Sequence, residues 1–254
     1  MTKLIHIVLL TCCMLTAGLA RADDHAPMTF MSIETYSCSY NEGMGLADLL
    51  AVAEEWNTWT EKAIPQAGFA AVLTPYLYDS RDLGSDVYWM NISTTFATSG
   101  SGQDDWLAKG SEMNAKFEAV CTTDSHAMFV GQGVRRPESG GPGASGMLLL
   151  SFCTAKEGIT PAEMLAADEA YRARRAELGM QGGAMRWFPV AGLSRQIDAD
   201  FMMVIATDSM ESFGSNMDTL IANMATNSNP HDDIQACRDD TMVTYQTVRA
   251  PTQD

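Results

Sequence analysis

The chain has 254 residues, with 16 basic side chains against 32 acidic ones, a formal net charge of -16 and a hydrophobic content of 46%. So acidic a surface repels phosphate backbones, and nucleic-acid binding would need a concentrated basic patch. The sequence offers only Arg135-Arg136 and the group Arg172, Arg174 and Arg175, which is interleaved with Asp168, Glu169 and Glu177 as ion pairs on a solvated helix face would be.

The N-terminus sets the compartment. Lys3, the apolar run Leu4 to Leu19, and Ala20-Arg21-Ala22 just before Asp23-Asp24 have the layout of a cleaved secretory signal. Residues 1–22 are read as that signal and 23–30 as an N-terminal tail. Thr11 ahead of Cys12, and an apolar run that continues past it, argue against a lipid anchor at Cys12. No later stretch approaches the roughly 20 apolar residues of a membrane span. The expectation is a periplasmic or secreted chain with no transmembrane segment after cleavage. Losing Lys3 and Arg21 leaves 14 basic residues against 32 acidic, a net charge of -18.

The strongest pattern is an internal repeat. Aligning Cys38-Ser-Tyr-Asn-Glu-Gly-Met-Gly-Leu-Ala-Asp-Leu-Leu50 with Cys153-Thr-Ala-Lys-Glu-Gly-Ile-Thr-Pro-Ala-Glu-Met-Leu165 gives an offset of 115 with five identities. The match continues from Asp86 to Asp200 at offset 114, from Cys121 to Cys237 at offset 116, and from Val134-Arg-Arg-Pro to Val248-Arg-Ala-Pro. Such small drift implies matching elements with minor loop changes. The domains read as a first repeat over 31–137, a Gly/Pro/Ser linker over 138–146 and a second repeat over 147–251.

In chain order, each repeat gives the same elements. Residues 31–40 are β-rich, and Leu46, Leu49, Leu50, Ala53 and Trp56 follow at helical spacing. In the second copy Thr160, Pro161 and Glu163 form a helix start with a capping box. Strand-like runs over 67–78 and 86–97 are mirrored by 182–190 and 199–207. Helices are expected over 104–120 and 210–225, and closing strands over 126–135 and 241–249. The order βαββαβ is the ferredoxin-like unit, α+β in class, with its last strand antiparallel beside its first and both helices on one sheet face. Two copies can hide their bare faces against each other, sheet to sheet, as a fused α/β barrel. The chain is then a monomer with pseudo-dimeric halves.

Cys12 and Cys13 leave with the signal, so Cys38, Cys121, Cys153 and Cys237 remain. In this fold Cys38 and Cys121 lie at adjoining ends of neighbouring strands, as do Cys153 and Cys237, which selects one disulfide per half in an oxidising compartment. The alternative is four buried free thiols. A CxxC pair is absent, which argues against thiol catalysis.

Residues Gly141 to Gly146 fit G-x-G-x-x-G, but a strand-like Met147-Leu-Leu-Leu run follows where a helix is required, so they are linker glycines. His25, His126 and His231 lie far apart and give no metal-ligand spacing; His25 falls in the tail and His231 in a turn, both read as solvated. His126, which has no counterpart in the second repeat, is a candidate catalytic group because an imidazole titrates near neutrality. Among 18 methionines, Met210, Met217 and Met224 recur every seven residues, the spacing of one helix face, and read as apolar filling. No metal or other cofactor is called for.

Aromatic residues concentrate in the first repeat. Trp56, Tyr76, Tyr88 and Trp89 are the candidate ligand-binding set, and Asn91 shares a strand face with Trp89 as a second candidate catalytic group. Their counterparts Met203 and Ile205 imply that the halves do unequal work.

With this order of elements in tandem, the chain resembles the dimeric α/β-barrel superfamily, which includes antibiotic-biosynthesis-type monooxygenases, haem-degrading and haem-dependent members and stress-responsive barrel proteins. The resemblance covers most of 31–251 and rests on topology and duplication. It implies a pocket between helices and sheet or inside the barrel; the Asn-Trp-His set of the haem-degrading families has no match here. Three readings follow: an exported protein that binds a small ligand or serves as an accessory; a cofactor-independent monooxygenase-like or lyase-like enzyme on a small apolar substrate, with His126, Asn91 or Trp89 as polar participants; and an acidic scaffold for a basic partner.

Overall fold

The computed structural model describes residues 29–81, 84–194, 197–226 and 228–250. The expected signal over 1–22, with Cys12, and His25 in the expected tail lie outside the described residues. The first half runs β1 (Phe30–Tyr40), α1 (Leu46–Ala63), β2 (Phe69–Leu77), β3 (Val87–Ser93), α2 (Phe96–Lys109), α3 (Ser111–Val120) and β4 (Cys121–Arg135). The second runs β5 (Ser145–Ala155), α4 (Pro161–Glu177), β6 (Gly183–Ala191), β7 (Phe201–Thr207), α5 (Met210–Ala222), a short 3-10 turn (Pro230–Asp233) and β8 (Gln235–Arg249).

The eight strands, paired antiparallel throughout, close in the order β1-β3-β2-β8-β5-β7-β6-β4. Alternation along each strand divides the side chains between two faces. Ile33, Ala71, Leu73, Met90, Phe129, Leu148, Trp187, Val204, Val243 and Tyr245 fill the barrel interior. Their neighbours face outward onto the helices, where Leu49 of α1 packs on Val72 and Val87, and Trp56 packs on Ala70. With the interior filled, any ligand space must lie between the barrel wall and its helices.

The halves share details of construction. A Cβ at Gly68 would sit 2.1 Å from the Ile92 carbonyl oxygen, and one at Gly182 would sit 2.1 Å from that of Ala206, so the chain entering β2 and β6 can approach β3 and β7 only as glycine. Asp86 accepts from the Tyr40 amide and Asp200 from the Ala155 amide, both at 2.8 Å, clamping the ends of β1 and β5. Gly43 and Gly158 take φ values of 78° and 82° in matching turns. The capping box at α4 forms as expected, the Glu163 amide donating to Thr160 Oγ1 and the Thr160 amide to Glu163.

Several boundaries differ from the sequence pattern, and the closing strands β4 and β8 begin at Cys121 and Gln235, ahead of the expected 126 and 241. The expected single helix over 104–120 is two helices, α2 beginning at Phe96 and α3 at Ser111. Thr95 caps α2, accepting from the Thr98 amide at 3.0 Å, so the expected strand over 86–97 stops at Ser93. The break falls at Gly110, where a Cβ would lie 2.6 Å from the Trp106 carbonyl oxygen. β5 begins at Ser145, taking up the last two residues of the expected linker.

Disulfides join Cys38 to Cys121 and Cys153 to Cys237, one within each half, closing separations of 83 and 84 residues. Among the described residues no helix is long and apolar enough to cross a membrane. Loops of this length restrict the unfolded chain by about 4 kcal/mol each in loop-entropy terms. Cys38→Ser with Cys121→Ser is therefore expected to lower unfolding stability by about 4 kcal/mol, read as a drop in the urea midpoint under non-reducing conditions.

Candidate functional site

Between the outer face of the first-half strands and helices α1, α2 and α3 lies a cavity of about 260 Å3. Its apolar walls are Trp56 from α1, Trp89 from β3, Trp106 from α2 and Phe117 from α3. These rings meet at steep angles: Trp56 and Trp89 at 80° with centroids 4.9 Å apart, Trp89 and Phe117 at 77° and 5.4 Å.

The polar end is organised by Glu34, 2% exposed on the outward face of β1. Barrel register brings its partners in: Glu34 lies opposite Asn91 on β3, and Tyr36 opposite His126 on β4. Gln103 reaches down from α2, its Nε2 lying 2.8 and 2.7 Å from the two Glu34 oxygens. Asn91 Nδ2 donates to Oε2 at 3.1 Å, and Tyr36 donates its hydroxyl to Oε1 at 3.0 Å. The Asn91 amide is oriented by Trp89, whose indole N–H, a donor only, meets Asn91 Oδ1 at 2.8 Å. His126 Nε2 stands 2.7 Å from Glu34 Oε1.

This convergence assigns donors and acceptors. A carboxylate offers only acceptors, so His126 Nε2 donates to it and Nδ1 is the basic atom of the neutral ring. Nδ1 has no hydrogen-bond partner among the described residues, and His126 lines the cavity with its side chain about half exposed. The Tyr36 ring stacks on the imidazole, centroids 4.0 Å apart and planes 14° apart. Burial, then the charge of Glu34 and its hydrogen bond, push the Tyr36 hydroxyl well above its ordinary range, keeping it a donor. The second half contributes from behind: Gly192, at φ 79°, lies so close to β4 that a Cβ there would sit 1.9 Å from the His126 carbonyl oxygen.

Of the sequence candidates, Trp56, Trp89, Asn91 and His126 come together here. Tyr88 points the other way, packing against the barrel interior, because it alternates with Trp89. Tyr76 lies near the free end of β2, exposed and away from the cavity. Glu34 and Gln103, the centre of the polar network, are not among the sequence candidates. The available signal is alternation: Glu34 is an acid between the inward-facing Ile33 and Thr35, on the same face as Tyr36.

The second half fills the corresponding layer with its own side chains. Asp168 of α4, 1% exposed, accepts from Arg186 at 2.7 Å and from His231 Nε2 at 2.9 Å. The His231 ring stacks on Tyr171 at 4.4 Å, and the Arg186 guanidinium lies 5.5 Å from the Phe201 ring centre. His231 is thus buried, contrary to the solvated turn expected, because the 3-10 turn folds back onto α4. Arg175 is likewise buried against the Tyr171 ring, and of its group Arg174 carries the surface pair, with Glu177. Among the described residues no cluster of three or more His, Cys, Asp or Glu is placed to hold a metal.

Burial alone would raise the Asp168 carboxyl, but the His231 and Arg186 hydrogen bonds and the Arg186 charge outweigh it and hold the group below its ordinary 3.8. A depressed folded-state value stabilises the protein above 3.8 and ceases to do so as pH falls through the lowered value. Asp168→Asn, which strands the Arg186 charge, is expected to cost about 3–5 kcal/mol near neutrality, and to flatten the acid limb of the urea midpoint plotted against pH.

No protein-family model and no curated protein matches the sequence. Among solved structures, the chlorite dismutase from Candidatus Nitrospira defluvii, determined in complex with imidazole, is 11% identical, with 86% of this chain and 92% of that one covered at a TM-score of 0.51. A heme-binding protein from Thermus thermophilus is 9% identical, over 86% and 93% of the two chains, at 0.49. An anthrone oxidase-like protein is 12% identical, over 87% and 92%, at 0.48. The likeness to the chlorite dismutase is one of fold: an α+β chain whose ferredoxin-like elements close an eight-stranded antiparallel barrel.

Proposed function

We propose that the protein is an exported enzyme that binds a small, compact, largely apolar molecule in the first-half cavity and removes a proton from it with His126. The observation that carries this reading is the dyad. Glu34 holds Nε2–H and leaves Nδ1 without a hydrogen-bond partner among the described residues, on a side chain that lines the aromatic-walled cavity. A buried carboxylate that orients an imidazole and supports its protonated form is the standard arrangement for a general base. Asn91 and Gln103 are positioning residues in this scheme, holding the carboxylate that holds the base. Export, with cleavage near Ala22, is supported by the two disulfides, which fit an extracellular or periplasmic protein, and by the signal-like N-terminus. We also read the matched glycines, aspartates and cystines of the halves as the outcome of a duplicated βαββαβ unit whose second copy lost its cavity.

Haem does not fit the residues present. Pockets that enclose drug-sized ligands run to roughly 300–1,000 Å3, and a cavity of about 260 Å3 does not enclose a tetrapyrrole. His231 is buried, hydrogen-bonded to Asp168 and stacked on the Tyr171 ring, and is not among the residues that line this cavity. The proposed proton removal needs no cofactor, since the imidazole takes up the proton that leaves the carbon acid.

The minimal reaction of such a base is isotope exchange. Small carbonyl compounds with an acidic C–H, first selected by quenching of the tryptophan fluorescence, are expected to exchange that hydrogen in D2O in the presence of the protein, followed by NMR. His126→Gln is expected to slow exchange by roughly 100- to 10,000-fold. Binding with no exchange above the variant's rate would reduce the site to a ligand carrier.

A further inference from the structure

We infer that the molecule bound in the first-half cavity is an organic cation, a compact ammonium group with alkyl substituents; this rests on the cavity being the binding site and adds the chemical class of its occupant. Three observations converge on it. Among the described residues the cavity lining includes two carboxylates, Glu34 and Glu118, and no lysine or arginine. Glu34 is buried, and its hydrogen-bond partners are Tyr36, Asn91, Gln103 and His126, none of which carries a permanent positive charge. A buried carboxylate without a fixed counter-cation leaves its field to be met by whatever enters the adjoining space.

The aromatic walls fit the same occupant. A flat aromatic ligand is best held in a slot between parallel rings. Here Trp56, Trp89 and Phe117 stand at steep angles to one another, with Trp106 beyond Phe117 at 60°. A corner of mutually steep π surfaces suits a rounded group, and indole is the strongest of the aromatic partners for a cation.

The third observation comes from the other half of the molecule. Arg186 occupies the β6 position that corresponds to Val72 on β2, paired across to Met203 as Val72 is paired to Trp89. It places a guanidinium between a buried carboxylate, Asp168, and an aromatic ring, Phe201. The second half therefore contains, covalently attached, a cation against a carboxylate and a ring. The first half supplies a buried carboxylate of its own, Glu34, from a strand in place of a helix, beside a larger aromatic wall, and has valine where the cation would originate. An exchangeable cation from solution completes the same set of interactions, and the acidic surface of net charge -16 raises the local concentration of such ligands.

The test compares choline with its uncharged isostere, in which carbon replaces the quaternary nitrogen, by isothermal titration and tryptophan quenching on the full chain. Choline is expected to bind at least about 10-fold more tightly, the discrimination a desolvated cation–π contact provides. Glu118→Gln at the rim is expected to weaken choline while leaving the isostere unchanged, and Glu34→Gln at the base to weaken choline more than the isostere. Equal binding, or a preference for the alcohol, overturns the cation assignment and leaves the cavity and its base standing. Binding of neither probe overturns it too, and the neutral-compound screen then decides separately whether the cavity binds anything. The wild-type comparison needs no variant, so a Glu34→Gln chain that fails to fold does not protect the inference.

Discussion

Everything in this molecule depends on the two strand pairings that cross from one half to the other, β2 with β8 and β4 with β6. Each half alone is a four-stranded sheet with one face covered by helices and the other bare. Edge-to-edge pairing of the halves curls both sheets into one wall, removes the free edges, and turns the bare faces inward as a shared core. Since that core is filled by Ile33, Phe129, Trp187 and their neighbours, the first-half cavity lies outside the barrel, beneath the helices.

There the halves part ways. Both put a carboxylate, an imidazole and a stacked tyrosine between helix and sheet: Glu34, His126 and Tyr36 in one, Asp168, His231 and Tyr171 in the other. The two sets come from different elements and are not superposable residue for residue. In the second half the arginine closes the network and its side chain takes up the room. In the first, splitting the helical cover into α2 and α3 at Gly110 sets Gln103 and Trp106 over Glu34 and leaves a cavity. One half fills this layer with a buried ionic network and the other leaves a cavity in it.

Much of this can be read from residues alone because it is written in local pattern. The offset between Cys38 and Cys153 announces the repeated order of elements; strand alternation puts Trp89 and Asn91 on one face; the adjoining strand ends pair the cysteines. Other features are out of reach. Glu34 becomes a hub only through register, which sets it opposite Asn91 on one side and places His126 diagonally across on the other. Gln103 falls outside the expected helix because Phe96 resembles strand and masks the Thr95 cap. His231 follows an Asn-Pro turn that looks exposed in sequence, and its burial depends on how the 3-10 turn docks on α4, a tertiary fact with no periodic signature.

Gly192 links the two themes. It belongs to the second half, yet it presses on the backbone of His126, the base of the proposed reaction. The strand carrying that histidine is also a seam, hydrogen-bonded to β1 of its own half and to β6 of the other. A change at the joint between the halves thus reaches the backbone that carries the imidazole, so the half with the cavity cannot be transplanted without the filled half that abuts it.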